Sequence, residues 1–361
     1  IYLDPPYLSG ASYRQTLRSR SGKRLGQQAA YGDRMSRPSY LQFMHTVLRA
    51  LQALLSERGS LMLHCDWHAG HQLRQLLEEL FGPERFLNEL IWTKGAGGQP
   101  KGALPRKHDS IFWFANGPGH FSSFDSPLLR TPYDQSTLQT HYRRQDEAGR
   151  HYREQVVNGK RYRSYADQGK RITDVWTDIG AQHATSPISP ESTGYPTQKP
   201  LQLLRRLITM ACPEGGSLLD PFCGSGSSLV AGAELGRVVV GLDSNPVALR
   251  IAQRRLRAQG MVTALWGSQP AARAGLLARL NDDKLVVEGI ADAPFEGDWV
   301  QLVEAIAIDC DWDGQCFRPS VIDAPARKSV IAGRYALPSA AGRVCAQAVL
   351  VDGSLRWWCS R

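Results

Sequence analysis

The 361-residue sequence has no long apolar run and does not open on a signal segment. A membrane-spanning helix needs about 20 consecutive, mostly apolar residues. A secretory signal joins a basic start to an apolar stretch. Neither pattern is found, so we expect a cytoplasmic protein with no membrane partner. The length leaves room for two or three domains and a sizeable core.

Cysteine is sparse and has no recognisable spacing. The chain holds seven cysteines, an odd number, and none of them are arranged as Cys-x-x-Cys. Zinc sites and disulfide scaffolds usually show such spacings. We therefore expect reduced thiols, with neither a zinc site nor a disulfide framework.

Acidic residues are fewer than basic ones. The sequence has 34 Asp and Glu against 43 Lys and Arg, a formal net charge of +9. A basic excess of this kind favours a polyanionic partner such as nucleic acid. The chain also does not begin with Met, and its first residues already read as a strand, so we expect a fragment that lacks upstream residues.

The chain opens on three strand-forming residues that run into Asp4, Pro5, Pro6 and Tyr7. Proline cannot donate to a sheet ladder, so the strand must stop at Asp4. The Asp4 carboxylate then lies at the C-terminal end of a strand, where open α/β sheets bind ligands. It suits the exocyclic amine of a planar base, with the carboxylate and a proline carbonyl accepting the two hydrogens and Tyr7 stacking on the ring. A plain strand followed by a proline turn is an equal alternative for these four residues alone.

A second motif lies between two apolar strands in the latter half of the chain. After residues 217–219 comes a turn of small residues, consisting of Asp220, Pro221, Phe222, Cys223, Gly224, Ser225 and Gly226. Its glycines let backbone approach a ligand, and the helix that follows offers free N–H groups. The next strand ends at Asp243, about 20 residues later, where a ribose-binding acid belongs. The pattern predicts a nucleoside-binding βαβ unit, in which Cys223 fills the tight turn and is not a nucleophile.

Together these stretches resemble the amino-methyltransferases of DNA, which use S-adenosylmethionine. Residues 4–7 match the catalytic motif of that family, and residues 220–226 match its cofactor loop. Residues 195–200 match the segment that precedes the cofactor loop in the β-type order, in which the catalytic motif comes first. This subgroup includes modification subunits of restriction systems, and the resemblance covers roughly residues 1–260.

The resemblance implies site residues, a cofactor and partners. It implies catalysis by Asp4, Pro5, Pro6 and Tyr7, use of S-adenosylmethionine and no metal. The implied cofactor-binding residues are Thr197, Gln198, Lys199, Pro200, Asp220, Pro221, Phe222, Cys223, Gly224, Ser225, Gly226, Asp243, Ser244 and Asn245. The implied partners are double-stranded DNA in a prokaryotic cell, with a restriction subunit or a second copy of the chain as further candidates.

The form of the catalytic motif, with Asp in first place, is associated with the N6 amine of adenine. Three alternatives stay open. One is an N4-cytosine DNA methyltransferase, and another is an RNA or protein methyltransferase. The third is a DNA-recognition subunit of a restriction-modification system with impaired catalysis.

Residues 117–190 are rich in tyrosine and arginine, with an Asn-Gly hairpin signal at Asn158. Basic side chains reach phosphates, while tyrosines and arginines stack on bases or read their edges. By its position this segment corresponds to the target-recognition insert of the family, although a solvated charged face would look similar. The expected DNA-binding residues are Arg143, Arg144, Arg153, Lys160, Arg161, Arg163, Lys170 and Arg171.

Residues 9–37 carry seven basic side chains and a single acid, Asp33. The basic residues are Arg14, Arg18, Arg20, Lys23, Arg24, Arg34 and Arg37. The stretch is too polar for a core, which predicts a mobile loop that contacts DNA, or else a solvated linker.

The predicted fold is α/β, a mostly parallel, doubly wound methyltransferase sheet in circularly permuted order. Residues 1–116 form the catalytic half, 117–190 the insert, 191–268 the cofactor half and 269–361 a β-rich appendage of unknown role. Strands over 86–93 and 110–114 are expected as a hairpin at the sheet edge, a strand over 262–266, and a helix over 272–280. His64 is interpreted as a core residue or as part of the cleft. The acids at 309, 311 and 313 lack the rest of a calcium loop, so no metal is assigned.

Overall fold

The structure, a computed structural model, describes residues 1–95, 100–181, 183, 186, 189–261, 263, 275–313, 317–325, 329–338 and 341–360. Its helices are α1 (Arg37–Leu54), α2 (Gly70–Phe81), α3 (Gln135–His141), α4 (Leu201–Ala211), α5 (Ser227–Glu234) and α6 (Pro246–Arg257). No helix in these ranges is long and apolar enough to cross a membrane.

The strands of the first 260 residues are β1 (Tyr2–Leu3), β2 (Ser12–Arg18), β3 (Arg24–Gly32), β4 (Ser60–Cys65), β5 (Phe86–Thr93), β6 (His108–Ala115), β7 (Arg130–Thr131), β8 (Arg144–Gln145), β9 (His151–Val157), β10 (Lys160–Tyr165), β11 (Lys170–Arg171), β12 (Val175–Trp176), β13 (Ser217–Asp220) and β14 (Val238–Gly241). The C-terminal strands are β15 (Leu276–Asn281), β16 (Lys284–Ile290), β17 (Val303–Asp309), β18 (Val321–Asp323), β19 (Arg334–Ala336), β20 (Cys345–Leu350) and β21 (Leu355–Cys359).

The main sheet has the strand order β1-β4-β6-β5-β12, and β13 pairs with β14 beside β1. The pairs β1–β4, β5–β12 and β13–β14 are parallel, while β6 runs antiparallel to both of its neighbours. Helices cover both faces. The predicted α/β class is therefore confirmed, with a sheet that is mixed because β5 and β6 form a hairpin.

Alternate residues of the strands pack into two different cores, which explains the nearly continuous apolar strands. Tyr2 and Met62 belong to the cluster that includes Leu207 of α4. Leu3 and Leu63 belong to the cluster on the other face, which α1 and α2 complete. A strand that is buried on both faces must be apolar at every position.

The expectation that the β5–β6 hairpin lies at the edge of the sheet is wrong. Strand β6 is central, and β12 adds on outside β5, with Trp176 opposite Trp92. The sequence did not indicate this position, because β12 has only two residues and its partner β5 lies more than 80 positions earlier in the chain. The Trp92 indole also donates to the Ile179 carbonyl at 2.8 Å, which secures this join.

The prediction of a mobile loop over residues 9–37 is wrong for 12–32. These residues form an antiparallel hairpin, β2 with β3, which we call the cleft hairpin. Leu17 and Ala30 are buried in it, and the rings of Tyr13 and Tyr31 stack with centroids 4.6 Å apart. Local composition missed the hairpin because most of its burial comes from distant parts of the chain.

Within 117–190 the structure has the hairpin predicted at Asn158. Strands β9 and β10 pair in register on either side of Asn158 and Gly159, whose φ values are +48° and +73°. Two positive φ values are what a two-residue hairpin turn of this kind requires. Strand β8 extends the hairpin to three strands.

The C-terminal residues form two antiparallel sheets, β15-β16-β19 and β18-β17-β20-β21, which share one apolar core. The helix predicted over 272–280 is wrong, because Leu276–Asn281 is strand β15, paired with β16 across a turn at Asp282. Residues 272–274 lie outside the described residues, as do 262 and 264–266 of the strand predicted at 262–266.

The expectation that every thiol is reduced is wrong for two residues. Cys345 and Cys359 face each other across β20 and β21, 4.1 Å apart between Cα atoms, and are joined by a disulfide. Strand register brings them together, and register cannot be read from cysteine spacing. Cys65, Cys212 and Cys223 are buried free thiols.

Candidate active site

The Asp4 carboxylate lies directly after β1, at the end of the strand that pairs in parallel with β4. Its Oδ1 accepts a hydrogen bond from the Tyr7 hydroxyl, and its Oδ2 accepts one from the Lys199 ammonium. The side chains of Lys199 and Asp4 are only 10% and 17% exposed. The ion pair joins residues 195 positions apart, and the sequence did not predict it.

The Tyr7 phenol is a donor to Asp4 and keeps its proton. Burial foremost, and next the charge of Asp4, raises the pKa of Tyr7 well above its usual range. The Lys199 ammonium lies 5.2 Å from the centre of the Tyr7 ring. Asp4, Tyr7 and Lys199 therefore form one polar group at the end of β1.

A buried polar chain underlies this group. The Tyr2 hydroxyl lies 3.0 Å from His64 Nδ1, and His64 Nε2 lies 3.2 Å from Asp109 Oδ2. Lys94 donates to Asp109 Oδ1 at 2.6 Å. Burial alone would raise the pKa of Asp109, but the hydrogen bond and charge of His64, helped by the lysines, hold it below its usual range. His64 is fully buried among these partners, which confirms the interpretation of a satisfied core histidine.

The small-residue turn after β13 is built around Asp220 and Gly226. Asp220 accepts from the Phe222 amide at 2.9 Å and from the Ser228 hydroxyl. Gly226 has φ +78°, and a Cβ there would lie 2.5 Å from Ala252 Cβ on α6. Only glycine allows the first turn of α5 to approach α6 this closely.

Asp243 follows β14 and ties two loops together. Its carboxylate accepts from the Gly224 amide at 2.9 Å and from the Asn245 amide at 2.7 Å. Burial raises the pKa of Asp243. Asn245 caps α6 by accepting from the Val247 amide, which fixes where the helix begins.

A single cavity of about 850 Å³ brings the two motifs together. All four predicted catalytic residues line it. The predicted cofactor residues also line it, with the exception of Pro200 and Gly226, which are the N-cap residues of α4 and α5. Aromatic and apolar walls alternate with carboxylates, a lining that suits a flat base and a sugar.

One wall of this cavity was missed by the sequence reasoning. Tyr13 and Tyr31 of the cleft hairpin, Asp33 directly after it, and Phe43 of α1 also line it. The Tyr31 hydroxyl lies 2.9 Å from Thr197 Oγ1. The one available signal was Asp33, the single acid in a basic stretch.

The eight predicted DNA-binding residues lie at the surface, on or next to β8 to β11, and all of them but the half-buried Arg153 are exposed. Arg144, Arg161 and Arg163 surround one acid, Glu154, at 3.5, 3.6 and 3.3 Å. Lys170 and Arg171 pair with exposed aspartates. Exposed ion pairs of this kind are weak because water screens them, so these cations can exchange partners readily.

The acids interpreted as not binding metal are engaged with the protein. Asp309 accepts from the Asp311 amide at 3.0 Å and from the Arg318 amide at 2.6 Å. Asp313 pairs with the Arg318 guanidinium. These contacts shape the turn after β17.

Asp220 gives the fold a specific pH dependence. Burial, opposed in part by the Ser228 hydrogen bond, raises the pKa of Asp220 from 3.8 to about 7. Between these values the folded chain keeps a proton that the unfolded chain releases, so stability falls as pH rises from about 4 to about 7. The change is on the order of 4 kcal/mol.

Asp220→Asn should remove this loss, because the amide stays neutral. We expect the variant to match the original chain at pH 4 and to melt at a higher temperature at pH 8, without ligand. Thermal unfolding across this range is the measurement. Parallel pH curves for the two proteins would contradict the assignment.

A family model described as DNA methylase matches residues 1–254. The Type II methyltransferase M.EcaI of Enterobacter cloacae is 26% identical over 303 residues, which is 71% of this chain and 64% of that protein. The Type II methyltransferase M.HpaI of Haemophilus parainfluenzae is 27% identical over 259 residues, covering 71% of this chain and 67% of that one. The chain thus spans less than two thirds of the length of the Enterobacter relative.

Among solved structures, the cytosine-N4-specific PvuII DNA methyltransferase aligns with 11% identity and a TM-score of 0.42, over 71% of this chain and 77% of that one. The M1.HpyAVI-SAM complex aligns with 17% identity and a TM-score of 0.39, over 71% and 87%. The family model covers well over half of the sequence and spans both motifs that line the cavity. The chain therefore belongs to the N6/N4 DNA methylase family.

Proposed function

We propose that the chain is a site-specific DNA methyltransferase, which moves a methyl group from S-adenosylmethionine to the N6 amine of adenine. The supporting observation is that one cavity is lined both by the Asp4 carboxylate and by the two loops that contain Gly224 and Asp243. Family membership and the Type II methyltransferases among the relatives support the same reaction class.

The cavity suits S-adenosylmethionine, whose chemistry when bound is to supply an electrophilic methyl group. Asp243 carries a carboxylate that can accept from ribose hydroxyls, in addition to the two amides it already holds. Phe222 and Tyr195 give apolar walls for a base, and Gly224 presents backbone without a side chain. Thr197 also lines the cavity, and its hydroxyl would be a polar partner for the amino-acid end of such a molecule.

The substrate amine would be held by Asp4. An adenine inside a duplex must be flipped out to reach this cavity, at a cost of a few kcal/mol. Its amine would take the place of Lys199 or of the Tyr7 hydroxyl on the carboxylate, with the Pro5 carbonyl accepting the second hydrogen. Tyr7 would stack on the base. Fixing the amine beside the methyl donor supplies most of the acceleration.

Lys199 adds a role that the motif alone did not suggest. Its ammonium pairs with the largely buried Asp4 and donates to one carboxylate oxygen, so it balances the charge of Asp4 and fixes the orientation of the carboxylate. After methyl transfer the amine carries an extra proton, which it can release to Asp4 or to water.

The N4 amine of cytosine is the second candidate substrate, because the family includes both specificities and the two amines are chemically alike. Duplexes that contain every sequence context, methylated by the purified protein and digested to nucleosides, separate the two by mass spectrometry. The proposal expects N6-methyladenine. N4-methylcytosine alone would overturn the adenine assignment and leave the reaction class intact.

We further propose that 117–190 reads the target sequence and that 1–116 and 191–268 form the two halves of the catalytic domain. On this view the enzyme acts on cytoplasmic DNA in a prokaryotic cell, with a restriction subunit or a second copy as candidate partners. The exposed cations of β8 to β11 support DNA contact by the insert.

Replacing Arg161 and Arg163 by Ala should weaken DNA binding and flatten its dependence on salt. Each phosphate contact contributes about 0.9 to the slope of log affinity against log salt, so the double variant should lose up to about 1.8. Fluorescence anisotropy over a salt series measures both quantities.

Glu154→Gln is the matched control. It removes the carboxylate that pairs with both arginines, so DNA binding should become tighter. Cofactor affinity should not change in any of these variants. If neither the double arginine variant nor Glu154→Gln changes the affinity for DNA or its salt dependence, this face does not contact DNA.

A further inference from the structure

The cleft hairpin holds the segment that follows the catalytic residues. At its base, Asp33 is 4% exposed, and its carboxylate accepts from the amides of Tyr7 at 3.1 Å, Leu8 at 2.7 Å and Ser9 at 2.8 Å. It also accepts from the Ser9 hydroxyl at 2.7 Å. One buried carboxylate thus satisfies four donors, and charge makes each of these bonds stronger than a neutral one.

The backbone at this point needs such support. Leu8 has φ +60°, a left-handed conformation that residues with a Cβ adopt at a cost. The turn it makes directs Tyr7 toward Asp4. Without the carboxylate, three clustered amides would lose their partner, and the turn would have little to hold it.

The tip of the cleft hairpin is anchored at a different place. Arg20 is 7% exposed and donates to the carbonyls of Ser329 at 2.9 Å and Pro325 at 2.6 Å. Its own amide donates to the Gln301 carbonyl at 2.9 Å. All three acceptors belong to the C-terminal residues, which had no assigned role.

The middle of the hairpin meets the predicted cofactor elements. The Asn245 side-chain amide donates to the Ala30 carbonyl at 2.8 Å, in a buried contact. Tyr31 reaches Thr197 through its hydroxyl. The cleft hairpin, with Arg20 in its turn and Asp33 directly after it, therefore contacts the catalytic segment, the cofactor loops and the C-terminal residues.

We propose that Asp33 is a positioning residue for Asp4 and Tyr7, and that the C-terminal sheets serve the reaction by anchoring the cleft hairpin through Arg20. This inference rests on the proposed methyltransferase function. It assigns a task to residues 275–360, which lie outside the family match, and to a hairpin whose composition predicted a loose loop.

The test of Asp33 is its replacement by Asn. The size is unchanged, but an NH₂ group now faces donors, so the four bonds cannot all be kept. Turnover per cofactor-binding site should fall by roughly 10- to 100-fold, as expected when reacting groups lose their alignment. Cofactor affinity should stay close to that of the original chain. Ser9→Ala, which leaves the carboxylate and its three amide bonds in place, is the matched control and should keep most of the turnover.

The test of the anchor compares two arginines of the same hairpin. Arg20→Ala removes the buried contacts with the C-terminal sheets and should lower turnover in the same way as Asp33→Asn. Arg24→Ala removes an equal charge from an exposed position and should at most raise the KM for DNA. Equal losses in the two variants would mean that only charge matters, and would overturn the anchoring role.

Counting cofactor-binding sites by calorimetry separates positioning from folding. If the turnover of Asp33→Asn falls only in proportion to its number of cofactor-binding sites, then Asp33 only supports folding and the inference fails. Hydrogen exchange gives a readout without catalysis, because Asp33→Asn should speed exchange at the amides of Tyr7, Leu8 and Ser9. If these amides exchange faster in Asp33→Asn but the original chain itself transfers no methyl group, the proposed function is wrong while the structural role of Asp33 stands. Unchanged exchange and turnover would sink the positioning role.

Discussion

Asp4→Asn is expected to abolish detectable methyl transfer to DNA while the chain stays folded and binds its cofactor. In the proposed mechanism the carboxylate is the acceptor for the target amine, and an amide at the same place would offer the amine an NH₂ group. It also leaves the Lys199 ammonium, only 10% exposed, without its partner. Loss of a group that orients the nucleophile and handles its proton typically costs 10²- to 10⁴-fold, and we expect about 10³-fold or more here.

The measurement is single-turnover transfer of labelled methyl to duplex DNA, with cofactor affinity determined by calorimetry on the same samples. Asp66→Asn is the matched control. Asp66 lies at the end of β4, pairs with His68 at 2.8 Å and does not line the cavity. Asp66→Asn should therefore transfer methyl normally. A rate for Asp4→Asn near that of the control would show that Asp4 does not hold the amine.

Gly226→Ala is expected to destabilise the chain and to eliminate cofactor binding. The added Cβ would lie 2.5 Å from Ala252 Cβ and 2.9 Å from Ala252 Cα, and the backbone is left-handed at φ +78°. Neither α5 nor α6 can yield without moving the turn that contains Asp220 and Gly224. Overpacking and backbone strain together should cost about 2–4 kcal/mol.

Gly236→Ala separates strain from overpacking. Its φ is +74°, almost the same, but a Cβ there would meet only the flexible side chain of Glu214 at 3.6 Å or more. That variant should lose about 1 kcal/mol and keep cofactor affinity. Chemical denaturation and calorimetry on both variants give the comparison. Undiminished cofactor binding by a folded Gly226→Ala protein would place the site elsewhere.

The motifs were predictable because their physics is local. Two consecutive prolines end a strand wherever they occur, as they do after Asp4. A glycine between a strand and a helix allows a close turn in any α/β unit, as Gly226 does here. The hairpin at Asn158 is likewise specified by its two turn residues. Such signals predicted the α/β class and, together with the family resemblance, about half of the residues that line the cavity.

What the sequence did not reveal depends on contacts between distant residues. Lys199 meets Asp4 across 195 positions, and Asn245 meets Ala30 across 215. The cleft hairpin is polar, so its order comes from partners such as these and not from its own periodicity. The helix predicted over the residues of β15 was wrong for a similar reason, because the pairing of β15 with β16 overrides a weak helical pattern.

The central claim is that one cavity joins a methyl donor to a DNA amine held by Asp4. Purified protein incubated with S-adenosylmethionine labelled in its methyl group and with duplex DNA tests it directly. We predict labelled DNA from the original chain and none above background from Asp4→Asn, at saturating cofactor. The claim would be contradicted if the original chain binds S-adenosylmethionine and DNA but leaves the DNA unlabelled. It would also be contradicted if the original chain and Asp4→Asn label DNA equally.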